Sequence, residues 1–491
     1  MNQTATITDN PSQNNPKIAI IGAGVAGSTI ALRLAELDID VTLIEKGTSL
    51  VNGPPICHLH AGGNLYREIS DEQCLTLLKQ SIDTVKVYPH SVNVRPTIVA
   101  LPLADAGCPQ DLLPRLRKLQ HHYEALIEQE AGNEVLGDPK KYFQLFERKQ
   151  LEAIAQRALP IKAQSDEDWL VAFAQQVDLN KLKFPLVLVQ EYGLSAFRFA
   201  AIACLAIEKL PSCHLRTSSQ VVDISAQSGG SGWQVSVQHH KHDAIDVVNY
   251  DYVINACGFK SGELDDMLQA KRQRMVEFKA AYVAHWSQCK GIWPEVVFYG
   301  ERGTPNGMAQ LTPYPGGYFQ LHGMTEEITL FEDGLVASND KSAQPKLPSR
   351  FIDKIDKRWP EQLINDRTIG SIEHIAQFIP AFSQAITAAK PMFGAQQIPG
   401  EDPDLRAADV SFHERGYARA EIVKASSALS AADAILADLI TSGIVSSKQS
   451  KRYTKEHYFQ ISQQCSVDEV TKKAEKLASD RNYPKALAKN F

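Results

Sequence analysis

The stretch Lys17–Lys46 reads KIAIIGAGVAGSTIALRLAELDIDVTLIEK, and the fold class follows from it. Ile18–Ile21 is a short apolar run of the kind a strand needs when both faces of a parallel sheet are covered. Gly22, Gly24 and Gly27 then spell GxGxxG. The first permits a tight turn, the second lets a pyrophosphate approach the backbone, and the third lets the helix pack close to the strand. From Val25 the apolar residues Ile30, Ala31, Leu34 and Ala35 recur at helical spacing, while Arg33 and Glu36 point elsewhere. A second strand, Val41–Ile44, ends on Glu45. A carboxylate there can accept hydrogen bonds from ribose hydroxyls, and the helix N-terminus faces the diphosphate. Strand, glycines, helix, strand and terminal acid in register predict a dinucleotide with an unmodified ribose, FAD or NAD.

Working outward, 491 residues are enough for two connected domains with a large core. Hydrophobic residues at 44% and charged residues at 22% are those of an ordinary globular protein. A net charge of −6 gives no reason to expect nucleic acid as a partner. Eight cysteines without a CxxC pair argue against zinc and iron–sulfur ligation, and predict reduced thiols in a cytoplasmic setting. Residues 1–16 are polar and lack the basic and apolar regions of a signal peptide, so they read as a disordered lead. The longest apolar stretch, near Phe197–Leu210, is broken by Arg198 and Glu208 and is too short to span a bilayer.

Beyond Glu45, the run ICHLHAGGNLYREIS covers Ile56–Ser70. Cys57, His58 and His60 lie too close together for a metal site and lack a fourth ligand. The glycines after His60 suggest backbone held against something flat. Helical periodicity predicts helices at Asp71–Val87, Leu112–Ala131 and Tyr142–Ala158, so 107–184 reads as a helical insertion. His121 and His122 fall on the charged, solvated face of the second of these. Glu191–Leu210 reads as a long helix entered through a glycine turn. Strands follow at Val221–Ile224, Trp233–Gln238 and Tyr250–Asn255, the last stopping at Cys257–Gly258. Met275–Trp286, Val296–Tyr299 and Met308–Thr329 alternate like the strands of a second, largely antiparallel sheet. Asp409–Phe412 and Tyr417–Val423 read as strands, and Ser426–Leu439 as a helix whose small residues let its N-terminus approach a ligand.

The expected organisation is an α/β protein. A discontinuous Rossmann-like domain comprises 17–106, 185–258 and 391–445, a substrate domain 259–390, and a basic tail 446–491. From Lys448 the tail carries ten Lys/Arg against five Asp/Glu. It reads as a solvated helix, with weak peripheral attraction to an anionic membrane surface as the alternative.

The opening fingerprint, DYVINACG at Asp251–Gly258 and the late return to the nucleotide domain resemble the FAD-dependent oxidoreductases of the D-amino-acid oxidase superfamily. The resemblance covers about Lys17 to Leu439 and implies FAD in place of NAD. Three stretches resemble the branch of L-2-hydroxyglutarate dehydrogenases and malate:quinone oxidoreductases. These are His60-Ala61-Gly62, Leu311-Thr312-Pro313 followed by Gly317, and Gly394-Ala395-Gln396 with Ser426-Ser427-Ala428. Gln310 stands where that branch has a histidine, and Gly394 where many members have an arginine for a substrate carboxylate. His322-Gly323 replaces a usual Gly-Pro.

The resemblance implies that FAD is held by Gly22, Gly24, Ala26, Gly27, Glu45, Lys46, His60, Ala61, Gly62, Val222, Ala256, Gly258, Gly394, Ser426 and Ser427. His60 is expected against the isoalloxazine, either tethered to the flavin, as similar His-Ala steps are in dimethylglycine and sarcosine dehydrogenases, or poised as a base beside a non-covalent flavin, the latter being favoured. His60 and His322 are the candidate proton acceptors, because imidazole titrates near neutrality. Tyr66, Arg67, Gln310 and Lys279 are candidate substrate contacts, with Arg198 a further cation. The implied function is oxidation of a small 2-hydroxy acid, with electrons passed to quinone or another acceptor. An amine or amino-acid oxidase using oxygen is the alternative, and a non-catalytic flavoprotein the third reading.

Overall fold

The computed structural model describes residues 15–53, 58–61, 67, 69–228, 232–240, 244–408, 410–413, 416–446 and 459–490. Lys17–Ile21 lies inside a six-stranded sheet. Its order is Val410–Phe412, Tyr417–Ala420, Tyr252–Asn255, Lys17–Ile21, Asp40–Ile44, Cys213–Arg216. Every neighbouring pair is parallel except the first. Alternation along the first strand separates two cores. Ile18 and Ile20 pack with the helices Val25–Ala35, Ala196–Glu208 and Ala428–Thr441. Ala19 and Ile21 pack with Val221, Ile224, Val235 and Val237. Those residues belong to a three-stranded antiparallel sheet, Ser219–Ala226, Trp233–His239 and Ile245–Tyr250. Being covered on both sides is what makes this strand apolar from Ile18 to Ile21.

A larger sheet runs Leu335–Ala337, Arg274–His285, Tyr318–Gly323, Ala309–Tyr314, Glu295–Phe298, Thr97–Ala100, Leu186–Val189, Phe143–Phe146. Met392–Pro399 and Ile386–Thr387 also pair with Arg274–His285. Among the described strands, only Glu295–Phe298 and Thr97–Ala100 run parallel in it.

This sheet takes three segments away from the expected boundaries. Thr97–Ala100 and Leu186–Val189 fall within the nucleotide-domain ranges 17–106 and 185–258, yet they pair with each other and with the large sheet. Met392–Pro399 falls within 391–445, yet it lies along Arg274–Ala281. Apolar strands look alike whichever sheet they join, and long-range pairing decides the matter.

Tyr142–Ala158 is not one helix. Phe143–Phe146 is an edge strand on Leu186–Val189, and Arg148–Ile154 is a short helix. The region 107–184 is accordingly divided. Helix Leu113–Gln129 packs with the nucleotide-side core, and Asp166–Gln176 with the core of the large sheet. The Glu191–Leu210 helix begins later than expected, at Ala196, after Gly193–Leu194 pairs with Val92–Asn93.

The tail is a packed element as well as a charged one. In helix Val467–Asp480, Val470, Ala474, Leu477 and Ala478 are buried, the spacing of an apolar stripe. It packs along Ala196–Glu208, where Lys473 pairs with Glu208 at 2.8 Å. Among the described residues, no helix is long and apolar enough to cross a membrane.

Candidate functional site

The glycine fingerprint makes a cradle at the end of the first strand. Gly22 adopts φ +96°, and a Cβ there would meet the Ala256 carbonyl oxygen at 2.5 Å. A Cβ on Gly27 would fall 1.8 Å from the Gly22 oxygen. These two glycines are therefore required by the protein itself. Gly24 differs, since a Cβ there would meet nothing within 4 Å. It is the N-cap of Val25–Ala35, and no side chain caps that helix. Orphan N–H groups at a helix start, facing open space, suit a diphosphate. Ala26 is buried in the first turn.

Glu45 accepts the Ala23 N–H at 2.8 Å and the Gly47 N–H at 2.7 Å, one on each carboxylate oxygen. Each oxygen keeps a further lone pair for a ribose hydroxyl. Ala256 is tied to the cradle through its N–H, 2.8 Å from the Ile21 oxygen. Gly258 has φ +59° and open space at its Cβ position. Val222 lies on the strand whose first residue, Ser219, donates to the Glu45 carbonyl at 2.9 Å. The Lys46 ammonium is 3.8 Å from Asp356.

The closing helix Ala428–Thr441 packs along Val25–Ala35, where Asp433 meets Arg33 at 2.7 Å, and the turn Ala425–Ser427 that precedes it also meets the fingerprint helix. Just before that helix, the buried Ser426 hydroxyl has no hydrogen-bond partner among the described residues, while Ser427 bonds Gln80 at 2.7 Å. An uncapped helix start, an unobstructed glycine, a diol-accepting carboxylate and an orphaned hydroxyl together fit a dinucleotide.

The segment His58–Ala61 is pinned from below. His58 bridges Gly193, and Leu59 donates to the Tyr192 carbonyl at 3.0 Å. Ala61 donates to Glu191 at 2.7 Å and accepts from the Tyr142 hydroxyl at 3.2 Å. His60 is held at φ +62°, a left-handed conformation uncommon outside glycine. Its ring is 4.0 Å from that of His58. Gly62 and Tyr66 lie outside the described residues.

Beneath this segment sits a buried charge network. Glu295 pairs with Arg95 at 2.5 Å and with His58 at 3.1 Å. Gln310 donates to the same carboxylate and contacts His58 at 3.1 Å. Burial pushes the Glu295 carboxyl up, but Arg95 and His58 outweigh it and hold it down at about 2. Among the described residues Glu191 has no cation in such contact, and burial raises it to about 7.

A second group surrounds the two candidate bases. Burial, with Lys424, His58, Arg406 and His322 nearby, holds the His60 imidazole well below its usual range. His322 is lowered to about 3 by burial and by Lys279, His58 and Lys424. Its Nδ1 has no hydrogen-bond partner among the described residues. Both imidazoles are therefore neutral at physiological pH. His322 opposes Gln310 across the strand pair. Lys279 lies 2.8 Å from Glu277 and 3.2 Å from the Gln396 side-chain oxygen. Glu277 also pairs with Arg302.

Gly394, read from sequence as a cofactor contact, is a residue of the large sheet and directly opposes Lys279 across the ladder. Gly394 stands where many members of the resembled branch carry an arginine, and the neighbouring strand places Lys279 opposite it. Arg67 makes a bidentate pair with Asp105 (2.8 and 3.0 Å) and lies over the Tyr299 ring. Buried Arg198 bonds Asn93, away from the free surface.

Sequence reasoning missed Glu191, Glu295, Arg95, Arg406 and Lys424. The available signal was weak. Glu191, Arg95 and Glu295 are single charges at the margins of apolar runs, and such residues are rarely buried unless paired.

Residues 17–400 match the family model described as DAO, FAD dependent oxidoreductase. Among curated proteins, anaerobic glycerol-3-phosphate dehydrogenase subunit A1 of Haloferax volcanii is 25% identical over 267 residues. That match covers 52% of this chain and 38% of the relative, so the chain spans well under half of that protein's length. Among solved structures, glycine oxidase from Geobacillus kaustophilus superposes with a TM-score of 0.55 at 14% identity, covering 90% of this chain and 96% of that one. Glycerol-3-phosphate dehydrogenase from Bacillus halodurans, complexed with FAD, gives 0.52 at 12% identity, covering 96% and 73%. At such identities the likeness is one of fold.

Proposed function

The chain belongs to the DAO family of FAD-dependent oxidoreductases, with FAD as its cofactor, and on that premise we propose that it oxidises the hydroxyl-bearing carbon of a small anionic substrate, a 2-hydroxy acid being the leading class. Bound along the Gly22–Glu45 cradle, FAD supplies the acceptor for the hydrogen and electron pair leaving carbon. The chain's own residues do the rest. A neutral His60 ring nitrogen takes the hydroxyl proton, with His322 as the second base in reach of the same cluster. Lys279, Arg406 and Lys424 set a positive field that favours a carboxylate near the two imidazoles. Glu191 and Tyr142 hold Ala61, and through it the backbone that aims His60.

The observation that carries this reading is a pair of buried imidazoles, His60 and His322, with Lys279 and Lys424 close by and Arg406 beside His60. Burial and those cations hold the rings unprotonated and weakly basic, and a substrate carboxylate bound among the cations offsets their field, so that a ring nitrogen can take the hydroxyl proton. Electrons then leave to quinone or another acceptor.

The test is anaerobic bleaching of the flavin by a panel of 2-hydroxy acids, hydroxyalkyl phosphates, amino acids and amines. Reduction by hydroxy acids supports the reading. Reduction by amino compounds alone replaces it with the oxidase alternative. On the active substrate, His60→Asn, which tolerates the left-handed backbone, should bind FAD and lose roughly hundred- to ten-thousand-fold in turnover. Wild-type turnover would remove His60 from the mechanism.

A further inference from the structure

We propose that Arg481, in the tail beyond the matched family region, is a positioning residue for FAD, and that the C-terminal segment thereby governs how tightly the cofactor is retained. The tail helix ends at this residue. Asn482 turns left-handed at φ +58°, and Tyr483 donates back to the Ala478 carbonyl at 2.9 Å. That ending fixes the Arg481 backbone.

Its guanidinium reaches the loop that leaves Glu45. It donates to the Leu50 carbonyl at 2.6 Å, the Val51 carbonyl at 3.0 Å and the Ser49 hydroxyl at 3.2 Å. The other face lies over Phe197, 5.8 Å from the ring centroid. A planar fork can span two successive carbonyls in a way that a point charge cannot.

The loop it grips is strained. Val51 is buried, and its φ of +55° is a true outlier for a β-branched residue. Such a conformation persists only when its surroundings over-determine it. Val51 is held at both ends of its own backbone. Its carbonyl is on Arg481, and its N–H is on the Ala23 carbonyl at 2.8 Å. Ala23 sits between Gly22 and Gly24, and its N–H is on Glu45 at 2.8 Å. One unbroken path therefore runs from Arg481 through Val51 and Ala23 to the carboxylate and glycines of the cofactor cradle. With the guanidinium removed, Val51 is free to relax, and Ala23 loses the partner that holds the turn.

Other tail contacts do not touch the cradle and serve as controls. The Tyr483 hydroxyl bonds the Pro391 carbonyl at 2.7 Å, and the Ser462 hydroxyl the Val87 carbonyl at 2.7 Å. The experiment measures FAD release from the full-length holoenzyme, by recovery of flavin fluorescence, beside the urea midpoint of the flavin-free chain. Arg481→Met keeps the packing over Phe197 and removes the fork. FAD release should quicken ten-fold or more, while the flavin-free midpoint moves no further than in Tyr483→Phe. Arg481→Lys should release FAD several-fold faster than wild type, and it carries the test if the Met variant does not fold. Wild-type release in either variant, or equal quickening in Tyr483→Phe, would show that Arg481 only fastens the tail and would overturn the proposal.

Discussion

Glu191 accepts the backbone N–H of Ala61 at 2.7 Å across 130 residues of sequence, and its other carboxylate oxygen is buried without a partner among the described residues. Burial raises this carboxyl from 4.5 to about 7, so the folded chain keeps a proton that the unfolded chain has lost. Stability should therefore fall as pH rises from about 4.5 to about 7, by roughly 2–3 kcal/mol for a single such group. Glu36, also raised to about 7 and accepting from Phe459 and Ile461, adds to the same window. Glu191→Gln should flatten the Glu191 share while keeping an acceptor for Ala61. Thermal midpoints across pH 4.5–7.5 for wild type, Glu191→Gln and Glu36→Gln check this. An unchanged slope in both variants would refute it.

Gly24 and Gly27 should respond oppositely to enlargement. At φ −68° and ψ −167°, Gly24 has a backbone any residue adopts, with open space beyond it. Gly24→Val should fold and lose FAD, because the added methyls occupy the space of the diphosphate. Gly27→Ala drives a Cβ into the Gly22 oxygen and should fail to fold stably. Circular dichroism and the flavin-to-protein absorbance ratio separate the two outcomes. A Gly24→Val protein with full flavin would contradict the cradle.

Asp265 joins the two sheets electrostatically. It accepts from Arg274 at 2.5 Å, Arg419 at 2.7 Å and the Tyr417 hydroxyl at 3.1 Å, and all four residues are buried. Arg274 belongs to the large sheet and Arg419 to the parallel one. Asp265→Ala leaves two buried guanidinium groups short of a counter-charge and should cost about 3–5 kcal/mol. Urea unfolding measures it. A loss below about 1 kcal/mol would mean that Glu421, 3.2 Å from Arg274, compensates alone.

Lys279 should act on substrate affinity more than on chemistry. Its replacement by Met leaves Glu277 paired with Arg302, so the fold should survive. Loss of one charge-assisted contact of about 1.5–3 kcal/mol corresponds to a roughly ten- to hundred-fold rise in KM for an anionic substrate. The kcat should change little. Steady-state kinetics with the substrate found by flavin bleaching decides, and an unchanged KM would remove Lys279 from substrate binding.

What the chain alone determined lies within short reach of each residue. The Gly22–Gly27 turn, the flanking strands and the acid at 45 are set by local φ/ψ limits and close packing, so thirty residues were enough to announce a dinucleotide cradle. Helix Asp71–Val87 was legible for the same reason, as its apolar spacing and Ser70 cap are local. Tertiary structure decided everything that depends on which strand lies beside which. Gly394 reads like part of a closing flavin-binding segment in sequence, and only strand pairing places it in the large sheet, opposite Lys279. Thr97–Ala100 reads as nucleotide domain and joins the larger sheet. His60 could be picked out by its glycine-rich setting. Its neutral state could not, because that is set by burial first and then by charges that include those from positions 322, 406 and 424. Arg481 is an unremarkable basic residue in a basic tail until the helix end delivers it to Leu50 and Val51. Local geometry writes itself into adjacent residues, whereas charge environment and strand partnership are properties of distance in space, which no spacing along the chain encodes.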